Sequence, residues 1–435
     1  MTSHNPVAPP HRAMTCRAAL VVGACLLATG VAAPSAGAAG AATPAGLGRL
    51  VDRALASGRA PGERASVLVR DLGTGEALVG RDIGRPLIPA SNEKLVTAAA
   101  AVAELGAQYR FRTELLSGDP LEADGVVRGA LYVRGSGDPT LSTPAFAVRF
   151  WRGRAARLTG LIAAARQEGL RRATGGVVAD ASAFDQRSWV ATWKSSYLWV
   201  ESPPISALPI DRGSGQPHGE APPLHTAAVT RRFLGQAGVP AGAPAMGRTP
   251  PDAVQLAVVA SPPLETLLAH MLTWSDNWVA EQLLKAVGHA SAGTGTTATG
   301  AAAARRMLTS AGARTDGVFV ADGSGLSRAN RLTTTAIVDL LSALYVSDGG
   351  QAVIRGLPIA ARTGTLHTRM YGTAAAGRVR AKTGTLNGVS ALSGVVTCNS
   401  GRVLAFSILM NGPASATRKR AAQDRIAAAV AAYEG

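Results

Sequence analysis

Lysine is scarce in this chain: of 44 basic residues only five are lysines, at 94, 194, 285, 382 and 419, and the rest are arginines. Cysteine is scarcer still, with Cys16, Cys25 and Cys398. The first two fall in a segment that reads as a secretory leader, so the mature chain keeps one thiol and no intrachain disulfide is available to it. Cys398 ends an apolar run, 389–398, without the electropositive setting of a reactive thiolate, and is expected to pack. The seven histidines show no paired helical spacing and there is no Cys cluster, so nothing calls for a metal, and no cofactor motif is present. No Gly-x-Ser-x-Gly elbow appears, which removes support for a Ser-His-Asp hydrolase. The net charge of +16 is scattered in ones and twos, with no RNP-type strand, zinc-finger spacing or basic helix, which argues against nucleic acid as partner. Such diffuse charge still suits anionic cell-envelope polymers.

With 435 residues the chain is long enough for two or three cores, and at 47% hydrophobic and 17% charged it is apolar enough to fold. Arg12 and Arg17 precede an apolar run, 18–33, and the small residues Ala36-Gly37-Ala38 offer a cleavage site. Residues 1–38 are therefore read as a signal peptide, with Met14 an alternative start. An uncleaved anchor is disfavoured because the run is short of the roughly 20 residues a membrane span needs, and a lipid-anchor reading at Cys25 is weaker. The expected location is outside the cytoplasm: periplasmic, wall-associated or secreted.

A linker, 39–46, leads into a predicted helix at 47–56 and strands at 65–71 and 76–79 around Gly73-Thr74-Gly75. The Ala- and Val-rich stretch 92–105 lacks Gly and Pro and predicts a helix buried on most sides. From 113 to 257 short strand-like pieces alternate with turns, and 203–251 is rich in Pro and Gly, as expected of an insertion. Phe184, Trp189, Trp193, Tyr197 and Trp199 lie in it, and the bland expectation is that they form its core. Helical patterns return at 264–274, after 277, at 301–311 and at 333–345; three strands then follow around 382, 389–398 and 403–410, with a closing helix at 421–433. Strands at both ends with helices between imply an α/β (α+β) fold whose sheet takes strands from both halves. The domain plan is 47–112 and 258–435 for one domain and 113–257 for an inserted accessory region.

Three short patterns carry chemistry. Ser91-Asn92-Glu93-Lys94 places a hydroxyl and an amine one helical turn apart, a nucleophile beside a possible base. Taken alone it reads equally as a helix cap with a surface lysine. Ser275-Asp276-Asn277, between two helical runs, reads alone as a capped corner. Lys382-Thr383-Gly384-Thr385 enters a strand, where the glycine would let another backbone approach. The ordered set is far more specific than its members, and two of the five lysines stand at its lysine positions. In an arginine-rich chain, Lys94 suggests a need for an amine that can lose its proton. Arg362-Thr363-Gly364-Thr365-Leu366 nearly duplicates the third pattern twenty residues earlier; the lysine copy is preferred because it leads into the terminal strands.

These motifs, with Gly135-Ser136-Gly137-Asp138-Pro139-Thr140-Leu141, Asp180 to Asp185, Asp322-Gly323-Ser324-Gly325-Leu326-Ser327 and Ala381 to Gly394, resemble class C low-molecular-mass penicillin-binding proteins, the peptidase S13 family. The 184 positions from Ser91 to Ser275 resemble that family's large insert. The resemblance implies a penicillin-binding-protein/β-lactamase-like transpeptidase domain with an antiparallel sheet flanked by helices. It further implies a serine D-alanyl-D-alanine carboxypeptidase, with endopeptidase activity as an extension, acting on peptidoglycan stem peptides and acylated by β-lactams. Ser91 would be nucleophile, Lys94 its base, Ser275 a proton relay and Asn277 a holder of Lys94 and substrate. Lys382 and Thr383 would take the terminal carboxylate, with Gly384 beside them and the Ser91 and Thr385 amides as oxyanion hole. Asp185 would be a partner for a substrate side-chain amine, and the Asp322 to Gly325 segment a shaped loop. A β-lactamase or esterase on the same fold, and a non-catalytic penicillin-binding wall sensor, are the rival readings.

Overall fold

The computed structural model describes residues 42–435, so the leader and its cleavage site lie outside the described residues. Apolar runs near the two chain ends meet in one antiparallel sheet, ordered Arg380–Leu386, Val389–Thr397, Val403–Asn411, Arg64–Asp71 and Ala77–Arg81. Arg64 pairs with Asn411 and Asp71 with Leu404, so the N-terminal strand lies centrally beside the last one. Both faces are covered. Val67, Val69, Phe406 and Ile408 meet the helices Pro44–Gly58 and Ala416–Ala431, while Leu68, Ala405 and Leu409 join the core around helix Glu93–Leu105. A sheet covered on both faces needs apolar side chains at odd and even positions alike, hence the unbroken runs.

The second sheet is drawn from the intervening chain, ordered Pro244–Met246, Val177–Asp180, Leu131–Gly135, Arg112–Ser117 and Val254–Ala260. It mixes parallel and antiparallel neighbours and has an apolar cluster of its own, including Leu115, Val133, Leu161 and Val177. The aromatic group expected to form a core there divides instead. Phe184 is buried, Trp193 donates to Asp322 Oδ2 at 2.8 Å, and Trp189 and Trp199 are exposed. Those last three sit on an irregular stretch between Val177–Asp180 and Pro222–Gln236, which offers no sheet face to pack against.

Helix Glu93–Leu105 is buried from Glu93 to Ala101; its alanines let neighbouring helices approach closely. Two glycines fix its N-terminal surroundings. Gly325 has φ +85°, and a Cβ there would lie 1.9 Å from the Ala90 carbonyl oxygen. On Gly384 a Cβ would lie 2.7 Å from Pro89 O and 3.1 Å from Ser91 N, so strand Arg380–Leu386 can press against the Ser91 turn only without a side chain there. Cys398 is buried, as expected. Lys419 is also buried, paired with Glu63 at 3.0 Å, so the terminal helix packs here rather than presenting this charge to a surface.

Candidate active site

Ser91 sits in a 3-10 turn, Ala90–Asn92, whose first residue adopts a left-handed φ of 46°. Its hydroxyl makes no cap hydrogen bond, which removes the helix-cap reading. Lys94 is fully buried rather than superficial, and its Nζ donates to Ser91 Oγ at 3.1 Å, Asn277 Oδ1 at 2.7 Å and Ser324 O at 2.6 Å. Burial drives this ammonium down to about 8, against the charges of Asp322, Glu281, Asp276 and Glu201, which oppose the shift. A lysine so placed is close to giving up its proton at neutral pH.

Ser275 ends helix Leu264–Trp274 with a left-handed φ of 61°, and Asp276 caps helix Asn277–Ala292 by accepting from Val279 N at 3.1 Å. The corner is thus both a capped turn and a way to present Ser275 and Asn277 to Lys94 and Lys382. Burial alone would raise the Asp276 carboxyl, but Arg212, bound through both guanidinium nitrogens at 2.7 and 3.1 Å, and His270 at 3.0 Å hold it well below the usual range. Lys382 Nζ donates to Ser275 Oγ at 2.9 Å. Burial, then the Lys94 charge, pushes the Lys382 ammonium well below its ordinary value, so an anion arriving there would restore it. Asn92 Nδ2 donates to Lys382 O at 3.1 Å, locking strand to helix.

An open groove of about 710 Å³ is lined by Ser91, Ser275, Asn277, Thr383 and Thr385. Asp185 does not reach it. Its carboxylate pairs with Lys285 Nζ at 2.5 Å and lines a separate cavity, so the structure does not bring it to Ser91 as the resemblance implied. Among the groove residues the sequence had singled out Tyr197 only as one of the insert's aromatics, and Glu201 not at all. Tyr197 and Glu201 enter from the insert, and Asn277 Nδ2 donates to Glu201 O at 3.2 Å and Oε2 at 3.3 Å. The near-duplicate motif is no mere bystander: Thr365 accepts a hydrogen bond from Thr383 Oγ1 at 2.8 Å. Glu281 accepts from the Gly323 amide at 3.1 Å and the Ser324 amide at 2.7 Å, which turns the Ser324 carbonyl toward Lys94. Its place one turn after Asn277 on the same helix was the available signal.

The profile of the D-Ala-D-Ala carboxypeptidase 3 (S13) family matches residues 47–224 and 220–433. The chain belongs to this family. Its relatives include a D-alanyl-D-alanine carboxypeptidase of an Actinomadura species, 33% identical over 88% of this chain and 84% of that one. A carboxypeptidase of Mycobacterium tuberculosis is 33% identical over 93% of this chain and 85% of its own. Among solved structures, penicillin binding protein 4 of Haemophilus influenzae superposes with a TM-score of 0.74 at 24% identity, covering 87% of this chain and 97% of that one. That likeness supports the fold, the transpeptidase-like α+β architecture expected of an S13 peptidase.

Proposed function

We propose that this S13 family member is a serine D-alanyl-D-alanine carboxypeptidase acting on peptidoglycan stem peptides, exported to reach them, and that Ser91 carries the acyl group. The observation that carries the site assignment is the buried Lys94 amine, 3.1 Å from Ser91 Oγ and fixed by Asn277 and Ser324. In the free-base form that amine accepts the Ser91 proton as Oγ attacks the carbonyl between the two terminal D-alanines. The Ser91 and Thr385 amides are the proposed donors to the resulting oxyanion, each such donor being worth about 3 to 4 kcal/mol. Ser275 passes a proton to the departing amine, the C–N bond breaks, D-alanine leaves and an ester remains on Ser91. Water then cleaves the ester, returning the Ser91 hydroxyl and freeing the shortened peptide.

Lys382 and Thr383 are the proposed receptors for the terminal carboxylate, with Gly384 keeping their strand close to Ser91. The family and the groove's closeness to Ser91 support β-lactams as covalent inhibitors that halt at the ester. Residues 113–257 are read as an accessory domain that completes one wall with Tyr197 and Glu201, a reading supported by its separate sheet and apolar cluster. The test is turnover of a D-Ala-D-Ala peptide beside turnover of benzylpenicillin. Release of D-alanine with a long-lived penicillin adduct is expected; rapid penicillin hydrolysis without peptide cleavage would instead make the chain a β-lactamase.

A further inference from the structure

The Ser275-Asp276-Asn277 corner has two sides. Ser275 and Asn277 line the groove with Ser91, whereas Asp276 lines a second cavity, of about 890 Å³, between helices Pro144–Trp151, Leu264–Trp274 and Asp348–Gly356. Its rim is basic. Arg149, Arg152 and Arg154 fall within six residues, are exposed, and among the described residues have no carboxylate within 4.0 Å. Arg355 adds a fourth guanidinium, 3.8 Å from Glu265. Asp276, the other carboxylate of the cavity, is already held by Arg212 and His270 and so does not offset the rim. Arg152 holds its place with a left-handed φ of 53°, where glycine would be the unstrained choice.

The same cavity exposes aromatic rings. Trp274 is 60% exposed and carries the open ring face; Phe150 is 38% exposed, but its ring is stacked on Phe146 and covered by the Arg212 guanidinium 4.7 Å from its centre, so it presents only an edge. Unpaired guanidinium groups bind phosphate or carboxylate oxygens through paired N–H donors, and an exposed aromatic face such as that of Trp274 accepts the C–H side of a sugar ring. Together they fit a ligand that carries regular negative charge on a saccharide backbone.

We propose that this cavity binds a polyanionic glycan of the cell envelope, phosphodiester- or uronate-bearing, and so holds the enzyme at the wall with its Ser91 groove on the other side of the same corner. A tethered polymer raises the local concentration of substrate attached nearby without any new contact in the groove. The inference does not depend on the peptidase chemistry. Nucleic acid shares the phosphate and stacking chemistry; the choice of a glycan rests on the export proposed above, and the DNA arm of the test separates the two.

The test uses the full mature chain in affinity electrophoresis through phosphomannan, alginate, neutral dextran, polyphosphate and single-stranded DNA. Expected is salt-sensitive retardation by phosphomannan or alginate, the stronger of the two naming the anion, with none by dextran. Arg149→Gln/Arg152→Gln/Arg154→Gln should bind about tenfold more weakly, as for loss of several charge-assisted contacts. The control Arg53→Gln/Arg305→Gln/Arg306→Gln, which removes the same charge elsewhere, should bind as the parent does. Trp274→Ala should weaken glycan binding but leave polyphosphate binding unchanged. Thermal midpoints and penicillin labelling establish that the arginine variants are folded. Equal loss in both triple variants would reduce the effect to net charge and overturn the proposal. So would DNA binding through the same arginines as tightly as any glycan, or retardation by dextran alone.

Discussion

Burying an ammonium costs free energy unless its N–H groups find acceptors, and Lys94 finds three, one of them the nucleophile. Because burial sets its pKa at about 8, roughly a tenth of the amine is free base at pH 7. The acylation rate constant should therefore climb as pH rises through about 8 and level off above it, which stopped-flow acylation by a chromogenic cephalosporin measures. A rate independent of pH over about three and a half units, from roughly 6 to 9.5, would remove Lys94 as base. Lys94→Arg keeps the charge but cannot surrender a proton, and should slow acylation on the order of a thousandfold. Arginine at 382 would, by contrast, preserve the charge a carboxylate needs. The scarcity of lysine pointed to both positions before any coordinate did, but only at 94 does the chemistry demand lysine, whereas at 382 charge alone would serve. Glu201 was illegible for the opposite reason: it reaches the groove from an irregular stretch whose course no local pattern specifies, and Tyr197 on the same stretch stood out only as an aromatic.

At the scale of elements, the site depends on how closely strand Arg380–Leu386 lies against the Ser91 turn. Gly384→Ala would set a methyl 2.7 Å from Pro89 O, forcing strand and turn apart. The expected cost is about 1 to 3 kcal/mol of stability, read by urea denaturation, with a larger proportional loss in acylation rate. Glu281 supports Lys94 from beneath. Burial, with the Asp322 charge, raises its carboxyl above the usual range, while hydrogen bonds from the Gly323 and Ser324 amides oppose the rise. Glu281→Gln offers those amides one acceptor oxygen in place of two, so a loss of about 1 to 3 kcal/mol is expected. The acylation pH profile should shift as well, because the Ser324 carbonyl would no longer be aimed at Lys94; an unchanged profile would make Glu281 purely structural. The strands near the chain ends were legible because a sheet covered on both faces leaves continuous apolar runs. The short strands at 126–127 and 172–173 were not, since two residues carry no period.

Across the whole molecule, the accessory region and the catalytic corner are joined by the Arg212–Asp276 pair, with side chains only 15% and 8% exposed. Arg212 also lies 4.7 Å from the ring centres of Phe150 and Trp278, so its removal takes packing as well as charge. Arg212→Ala leaves a buried carboxylate with only His270 and the Val279 amide as partners and should cost about 3 to 5 kcal/mol near neutral pH. Asp276 has a depressed folded-state pKa, so its stabilisation is present above the unfolded value near about 3.9 and is lost as pH falls through the lower folded value. The gap between parent and variant should therefore be widest near neutrality and shrink on acidification below about pH 4, as thermal unfolding across pH would record. This long-range tie had no trace in sequence, for Arg212 is one arginine among many and stands 64 positions from Asp276.

The account stands or falls on Ser91. Mass spectrometry of the chain after brief exposure to benzylpenicillin, followed by peptide mapping, should find one covalent adduct on the peptide bearing Ser91. The Ser91→Ala protein, with an unchanged thermal midpoint, should carry none. Equal labelling of Ser91→Ala, or an adduct on any other serine, would contradict the assignment of nucleophile and base.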